Sequence, residues 1–270
     1  MNKIKKRDKL SYYKFLNLLP KKLNRLYFNK LKGKFQLSNK SKKRNGFDPV
    51  TNIDREFEIF LRKEITKKFP QDGIIGEEFK DKKTKSGFSW IIDPIDGTRS
   101  FIIGSPTWSN LISISYKNEP TFGLVNFPML KKYYITGSNK KTYLVENNKV
   151  KILKVSKSKT LKDSKISGNF FGYLSLKQQK KISKFTKFMS YPCSDALAYC
   201  QLCEGRLNVV LQCSNKIWDV LPMIPLIENA GGYISKWNGD NANQGGNILA
   251  SSSLKVHKKI IKLLKPVYKN

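Results

Sequence analysis

The chain has 270 residues, of which 39% are hydrophobic, and its formal net charge is +32. The length allows one large domain with its own core and excludes a small scaffold held together by disulfides. Such a charge is compatible with a nucleic-acid or membrane-surface protein, or with an enzyme whose field attracts anionic substrates. Because the lysines are scattered along the chain, we attribute the charge to composition and expect no specific nucleic-acid partner.

The first twenty residues are basic but lack an apolar stretch long enough for a secretory signal. They are predicted to form an exposed first helix, with a transit peptide as the alternative. No window approaches the roughly 18 apolar residues of a membrane span. We therefore expect a soluble, cytoplasmic protein with no membrane partner.

The four cysteines lie between Cys193 and Cys213. Neither their number nor the chain length requires a disulfide framework, so reduced thiols are expected. Cys200 and Cys203 form one Cys-x-x-Cys pair, but a zinc site would need a second pair or nearby histidines. Because the single histidine, His257, is distant in sequence, buried helix thiols are the simpler interpretation.

Two helices are predicted at the start of the chain. Apolar residues recur at roughly helical spacing over residues 8–31, where Pro20 indicates one helix or a kinked pair. Residues 54–69 carry a second amphipathic pattern with an acidic first turn. Pro70 and Gly73 are expected to end this helix.

A mainly antiparallel sheet is predicted next. Residues 73–76 are an apolar strand that delivers Glu77 at its end, and residues 88–92 are a strand expected to stop where Asp93 begins a Pro/Gly turn. Further strands are predicted at residues 109–115, 121–126, 133–136, 142–145 and 149–155. Residues 1–155 are thus expected to be an N-terminal α+β half that carries the metal-binding motifs.

Residues 156–270 are predicted to form a C-terminal α/β half, joined to the first in one compact unit. Its strands are predicted at residues 165–167, 207–212 and 246–250. Its helices are predicted at residues 175–188, 194–204 and 218–229, followed by a C-terminal helix.

Asp93 and Asp96 lie on the predicted turn. A turn brings two hard oxygen ligands close together, which suits Mg²⁺ better than zinc or copper. Alone, such a pair is more often a solvated or capping group. Gly97 and Thr98 follow at a helix start, where backbone N–H groups bind anions, so that a metal site and a phosphate site would adjoin.

Two further carboxylates stand at the ends of predicted elements. Glu77 follows a buried strand, from which it can point at the same centre as Asp93. Asp219 follows Trp218 at a helix start, where by itself it would be an N-cap or first-turn residue.

Taken together, these motifs closely resemble the signatures of the inositol monophosphatase superfamily. The segments that carry the resemblance are Gly76-Glu77-Glu78, Asp93-Pro-Ile-Asp-Gly-Thr98, Trp218-Asp219 and Ala230-Gly231-Gly232. It extends over about residues 49–232, and a segment ending in Asp54 is part of it. The resemblance implies an α/β (α+β) fold, a layered αβαβα sandwich, and a Mg²⁺-dependent phosphomonoesterase.

The resemblance implies two or three Mg²⁺ ions per active site. Glu77, Asp93 and the backbone carbonyl of Ile95 would hold one of them. Asp93, Asp96 and Asp219 would hold a second.

The resemblance also implies how phosphate is bound and attacked. The N–H groups of Gly97 and Thr98 would bind the phosphate. A water of lowered pKa would attack phosphorus in line, assisted by Glu77 and by Thr98 hydrogen-bonded to Asp54.

Within the superfamily, the chain is most similar to the histidinol-phosphatase branch of histidine biosynthesis. Residues 96–106 resemble that branch, which typically has Lys where Arg99 stands. Asp195 and Tyr199 complete its Asp-x-x-x-Tyr pattern. Asp195 could pair with the ammonium group of the substrate or could simply be an acidic residue at a helix N-terminus.

Substrate contacts are expected from Asp96, Asp195, Gln212 and Asp219. Gln212 departs from the pattern. The histidinol-phosphatase and inositol-phosphatase branches both usually have Glu at this position, and that Glu contacts the alcohol part of the substrate. Inositol 1-phosphate and related polyol phosphates therefore stay as an alternative, and 3′-phosphoadenosine 5′-phosphate as a weaker one. A basic nucleic-acid-binding protein on the same fold is the alternative of another class. A homodimer is expected because relatives commonly dimerise.

Overall fold

The computed structural model describes residue 4 and residues 6–41, 49–158, 160–170 and 173–268. Its helices are α1 Lys6–Leu26, α2 Asn52–Lys68, α3 Thr98–Ile102, α4 Leu176–Lys181, α5 Ser183–Thr186, α6 Asp195–Cys203, α7 Ile217–Val220, α8 Met223–Asn229 and α9 Leu254–Tyr268. A π-helical turn, Tyr27–Leu31, extends α1.

The strands are β1 Leu37–Asn39, β2 Pro49–Thr51, β3 Gly73–Gly76, β4 Phe88–Asp96, β5 Ser109–Tyr116, β6 Glu119–Phe127, β7 Lys132–Thr136, β8 Thr142–Glu146, β9 Lys149–Ile152, β10 Ile166–Asn169, β11 Met189–Tyr191, β12 Val209–Asn215, β13 Tyr233–Lys236 and β14 Gly246–Ser251. Within the described ranges they form sheets of seven strands (β3 to β9 in chain order), five strands (β11-β10-β12-β14-β13) and two strands (β1-β2).

The inner strands of the seven-stranded sheet are buried on both faces, whereas its edge strand β9 is exposed. Trp90 and Ile92 on β4 pack in one apolar cluster with α1 and α2, whereas Ile91 between them packs in another with α6 and α8. This alternation follows from the period of two in a strand. β3 and β4 are parallel, and each later pair in this sheet is antiparallel, as predicted.

The five-stranded sheet completes the layering. Val210 on β12 faces the cluster with α6 and α8, while Val209 and Leu211 face a third cluster with α5 and α9. The order is therefore helices, sheet, helices, sheet, helices. This confirms the predicted αβαβα sandwich.

Several predicted boundaries were wrong. Strand β4 does not stop at Asp93 but continues to Asp96, because β5 keeps pairing with it across a register shift. The helix predicted at residues 218–229 is two helices, α7 and α8, which meet at Pro222, where no N–H is available to continue the first helix. The helix predicted at residues 175–188 is likewise divided into α4 and α5 around the buried Ile182.

Some other elements match the sequence predictions, one is shorter than predicted, and four strands were not predicted. α1 runs unbroken through Pro20, and β9 ends at Ile152 rather than at residue 155. Strands β1, β2, β11 and β13 were not predicted. All four cysteines are free thiols, as expected, and within the described ranges no helix is long and apolar enough to cross a membrane.

Candidate active site

The end of β4 carries two carboxylates across a β-bulge. Asp93 is opposite Leu111 and Asp96 is opposite Ser109, so three residue steps on β4 match two on β5. The side-chain amide of Asn110 donates to the carbonyl oxygen of Pro94 at 2.6 Å. This bond compensates for the interrupted ladder and fixes the bulge between the two aspartates.

Asp219 joins the same centre from α7. One carboxylate oxygen from each of Asp93, Asp96 and Asp219 lies within 4.8 Å of the other two. The backbone N–H of Lys216 donates to Asp219 Oδ2 at 2.6 Å, and Ser109 Oγ donates to Asp96 Oδ2 at 3.2 Å. We call these three carboxylates the acidic cluster.

The acidic cluster is electrostatically strained when all of its members are ionised. Burial, with the neighbouring carboxylates, raises the pKa of Asp93 and of Asp96 well above the usual value. Burial likewise raises the pKa of Asp219 to about 7, opposed by its bond from the backbone of Lys216. A bound cation would remove this cost because it favours the ionised form of each carboxylate.

A divalent cation fits these residues. Asp93 is 3% exposed, and its Oδ1 is buried with no hydrogen-bond donor among the residues that the structure describes. A buried carboxylate oxygen without a donor is costly unless a cation contacts it. Because the ligand atoms that these three side chains offer are all carboxylate oxygens, the site suits Mg²⁺ rather than zinc or copper.

Glu77 lies outside the group of three oxygens. It follows β3, and its Oε1 is 3.2 Å from Nζ of Lys40, which also binds Glu78. Its charge nevertheless contributes to the raised pKa of Asp93 and of Asp219. The structure thus places Glu77 beside the acidic cluster, with Lys40 as its neighbour.

The predicted phosphate loop adjoins the acidic cluster. Gly97 has φ +77°, and a Cβ on it would lie 2.7 Å from Oδ2 of Asp195, so the backbone conformation and the close approach both require glycine. Thr98 begins α3, and its hydroxyl donates to the carbonyl of Ile95 at 3.1 Å. This carbonyl was a predicted metal ligand and retains a second lone pair.

The predicted bond between Thr98 and Asp54 is replaced by other contacts. Oδ2 of Asp54 accepts from the backbone N–H and the hydroxyl of Thr51, at 2.9 and 2.5 Å. Thr51 is the residue before α2, so these bonds form a cap at the start of that helix. Burial raises the pKa of Asp54 to about 6, against the effect of these bonds.

A second set of polar side chains, Asp195, Tyr199 and Gln212, lies on α6 and β12; we call it the alcohol side. Gln212 Nε2 donates to the backbone carbonyl of Asp195 at 2.9 Å. Ser100 Oγ is 3.5 Å from Asp195 Oδ2, while the N–H of Ala196 donates to Asp96 Oδ2 at 3.0 Å. The first turn of α6 thus connects the alcohol side to the acidic cluster.

Tyr199 lies on α6, and its side chain is buried in the protein. Its hydroxyl has no hydrogen-bond partner in the part of the chain that the structure describes. Burial raises its pKa well above the usual value, and Asp219 and Asp96 add to this rise. The side chain is therefore a neutral phenol near the acidic cluster.

Comparison with known proteins decides the family. Residues 12–268 match the profile of the inositol monophosphatase family. The chain belongs to that family. It is accordingly a phosphatase, a hydrolase of phosphoric monoesters, and enzymes of this family use divalent metals.

Among its relatives is the bifunctional phosphatase IMPL2, chloroplastic, of Arabidopsis thaliana, 32% identical over 80% of this chain and 60% of the plant protein. A histidinol-phosphatase of Mycobacterium tuberculosis is 28% identical over 76% of this chain and 81% of its own length. A crystal structure of an IMPase/NADP phosphatase with Mg²⁺ and phosphate superposes with a TM-score of 0.79 at 19% identity, over 93% of each chain. The last likeness shows the fold.

Sequence reasoning missed two residues near this site, Lys40 and Glu58. Lys40 lies in a polar loop that gives no sign of a long-range ion pair. Glu58 is fully buried on α2, and its position one helical turn after Asp54 was the available signal, since residues four apart share a helix face.

Proposed function

We propose that this chain is a Mg²⁺-dependent histidinol-phosphate phosphatase of histidine biosynthesis. The observation that carries the proposal is the contact between the alcohol side and the phosphate loop. The Asp195 carboxylate lies against Gly97, next to the acidic cluster. A substrate with a phosphate at Gly97 and a nearby ammonium group matches this arrangement.

Gln212 fits an amino alcohol once its orientation is considered. The carbonyl oxygen of Asp195 can only accept a hydrogen bond, so the Gln212 amide nitrogen faces it. The same nitrogen is 3.4 Å from Sγ of Cys193. Oε1 of Gln212 is then directed away from these partners and is available to accept from a substrate ammonium or hydroxyl group.

In the proposed mechanism Glu77, Asp93 and the backbone carbonyl of Ile95 would hold one Mg²⁺, and Asp93, Asp96 and Asp219 would hold a second. When bound, Mg²⁺ lowers the pKa of the attacking water and neutralises charge on the leaving alkoxide. We propose two or three ions per site.

The remaining steps belong to the protein. The N–H groups of Gly97 and Thr98 orient the phosphate for in-line attack. Glu77 and Thr98 accept hydrogen bonds from the attacking water, and Asp54 supports this end of the site from α2. Asp96 and Asp219 would contact the alcohol group of the substrate as well as hold a metal ion.

The alternative substrate is inositol 1-phosphate or a related polyol phosphate. A neutral Gln212 in place of a carboxylate favours it, because an amide oxygen also accepts from hydroxyl groups. 3′-Phosphoadenosine 5′-phosphate is a weaker candidate. We further propose a cytoplasmic homodimer that acts on small phosphorylated molecules and has no specific nucleic-acid or membrane partner.

Phosphate release from histidinol phosphate and from inositol 1-phosphate, measured side by side with Mg²⁺ and then with chelator, tests the proposal. We expect turnover that needs Mg²⁺ and a higher kcat/KM for histidinol phosphate. A higher kcat/KM for inositol 1-phosphate would transfer the assignment to the alternative. Binding to nonspecific DNA without phosphatase activity would favour the nucleic-acid-binding class.

A further inference from the structure

The backbone around Glu77 rests on helix α2 through one buried carboxylate. Glu58 is fully buried, and its Oε2 accepts from the backbone N–H of Glu78 at 2.8 Å. Its other oxygen, Oε1, accepts from Nε of Arg62 at 2.8 Å. Hydrogen bonds to an ionised group are shorter and stronger than neutral ones, so this contact fixes the main chain after β3.

The same carboxylate touches the chain on the other side of Glu77. A Cβ on Gly76 would lie 2.1 Å from Oε1 of Glu58, closer than nonbonded atoms can approach. A side chain at position 76 would displace the Glu58 carboxylate, so close approach rather than a positive φ favours glycine here. Glu58 thus contacts both backbone neighbours of Glu77.

Arg62 extends this contact by one residue. Its Nη2 donates to the carbonyl oxygen of Phe79 at 3.1 Å, and its guanidinium lies 5.9 Å from the centre of the Phe79 ring. A planar guanidinium can bind the Glu58 carboxylate and this carbonyl at once, whereas an ammonium group lacks the fixed fork.

Asp54, Glu58 and Arg62 are spaced by four residues on α2, so they lie on one helix face. Asp54 contributes to the raised pKa of Asp93. One face of α2 therefore carries Asp54 near the acidic cluster. Further along, the same face carries Glu58 and Arg62, which bind the backbone around Glu77.

We propose that Glu58 and Arg62, here called the α2 clamp, are positioning residues that hold Glu77 where it can bind the metal. The proposal rests on the proposed function, in which Glu77 is a metal ligand. Partners that orient ligands typically change metal affinity or activity by about 10–100-fold when they are replaced. Glu58 and Arg62 contact the backbone on either side of Glu77, so both would act through Glu77.

The test is calorimetric titration of Mg²⁺ into the full chain, with variants Glu58→Gln, Arg62→Ala and Arg62→Lys. Arg55→Ala is the matched control, because Arg55 is an exposed arginine on the same helix, and Glu77→Ala is the reference for loss of the ligand. We expect Glu58→Gln and Arg62→Ala to weaken Mg²⁺ binding by about 10-fold or more. Arg62→Lys should fall between Arg62→Ala and the unaltered chain, and Arg55→Ala should bind normally.

A thermal midpoint measured in chelator separates positioning from stability. Weakened binding in variants whose Mg²⁺-free midpoint is close to that of the unaltered chain, with activity restored by raised Mg²⁺, supports the clamp. Lower midpoints with unchanged Mg²⁺ affinity would overturn it and leave only a structural role. The partly exposed Arg62 keeps the test open if Glu58→Gln folds poorly.

The reference variant separates the two levels of the proposal. Weakened binding in Glu77→Ala with normal binding in the clamp variants would overturn the clamp and leave the metal assignment standing. Normal binding in Glu77→Ala would remove Glu77 from the metal site, and the clamp proposal with it.

Discussion

The acidic cluster and the alcohol side are built in different ways. The acidic cluster brings three like charges together at the end of β4, where burial raises their pKa values. On the alcohol side Gln212 donates to the backbone of Asp195, whereas the hydroxyl of Tyr199 has no partner among the described residues. The first region is costly without a cation because it groups three carboxylates, whereas the second contains one carboxylate, that of Asp195.

This difference separates chemistry from choice of substrate. In the proposed function, the acidic cluster and its cation decide whether the phosphate ester is hydrolysed. The alcohol side decides which alcohol is accepted. Changes in the acidic cluster should therefore abolish turnover, and changes on the alcohol side should redistribute it among esters.

Asp93→Asn should have the largest effect. It removes the charge of the most buried carboxylate of the acidic cluster and keeps its size, so turnover should fall by more than the about 100-fold typical of outer residues around a metal. Activity over a range of Mg²⁺ concentrations checks this, with circular dichroism to show an intact fold. Near-normal turnover would contradict the metal assignment.

The stability of the metal-free protein should depend on pH in the direction opposite to that of an ion-paired carboxylate. Asp219 has a pKa of about 7 in the folded state, above its value in the unfolded state. At pH values between these two pKa values, the folded state binds more protons than the unfolded state does. In chelator, the free energy of unfolding should therefore fall as the pH rises from about 4 to about 7. Urea unfolding measures this.

Two comparisons sharpen that prediction. Mg²⁺ should stabilise the protein more at about pH 8 than at about pH 5, because it binds the ionised carboxylates. Asp219→Asn should flatten the fall in stability between about pH 4 and about pH 7. Equal stabilisation by Mg²⁺ at both pH values would count against the acidic cluster as the metal site.

Gly97→Ala probes the contact between the two regions. Its positive φ should cost about 1–3 kcal/mol of unfolding free energy, and the Cβ would also meet Asp195 at 2.7 Å. Gly104→Ala is the control, because Gly104 has φ +74° with open space around its Cβ position. Urea unfolding should show a larger loss of unfolding free energy in Gly97→Ala than in Gly104→Ala, because only the first brings a Cβ against Asp195. Equal losses in the two variants would contradict this contact.

Gln212→Glu should have the smallest effect and should act on specificity. A carboxylate would favour an ammonium-bearing alcohol but would lose the bond to the Asp195 carbonyl, so we expect the ratio of kcat/KM for histidinol phosphate to that for inositol 1-phosphate to rise by about 10-fold at most. Parallel kinetics on both esters measure the ratio. A fall in the ratio would contradict the assignment of the alcohol side.

Much of the fold was predictable because its strands are short apolar segments and its helices have clear apolar faces. The convergence of Asp93, Asp96 and Asp219 was predictable only because their motifs, taken together, resemble the inositol monophosphatase superfamily, since each alone resembles a cap or a turn residue. The continuation of β4 to Asp96 was not, because it depends on pairing with β5 and on the side chain of Asn110.

Long-range contacts explain most of what the sequence did not reveal. Lys40 meets Glu77 and Glu78 across more than 35 residues of chain, and no local pattern encodes that pairing. Strand β2 pairs with β1. Neither strand is long enough to give a periodic signal in the sequence, so neither was predicted. The break at Pro222 was visible in the sequence, but the helical pattern on either side of it outweighed the proline.

The most direct test of the metal site is anomalous diffraction from crystals soaked with Mn²⁺ and phosphate. We predict manganese peaks bonded to Asp93, Asp96 and Asp219, with phosphate against the backbone of Gly97. A manganese peak bonded elsewhere, or none at these carboxylates in crystals of an active preparation, would contradict it.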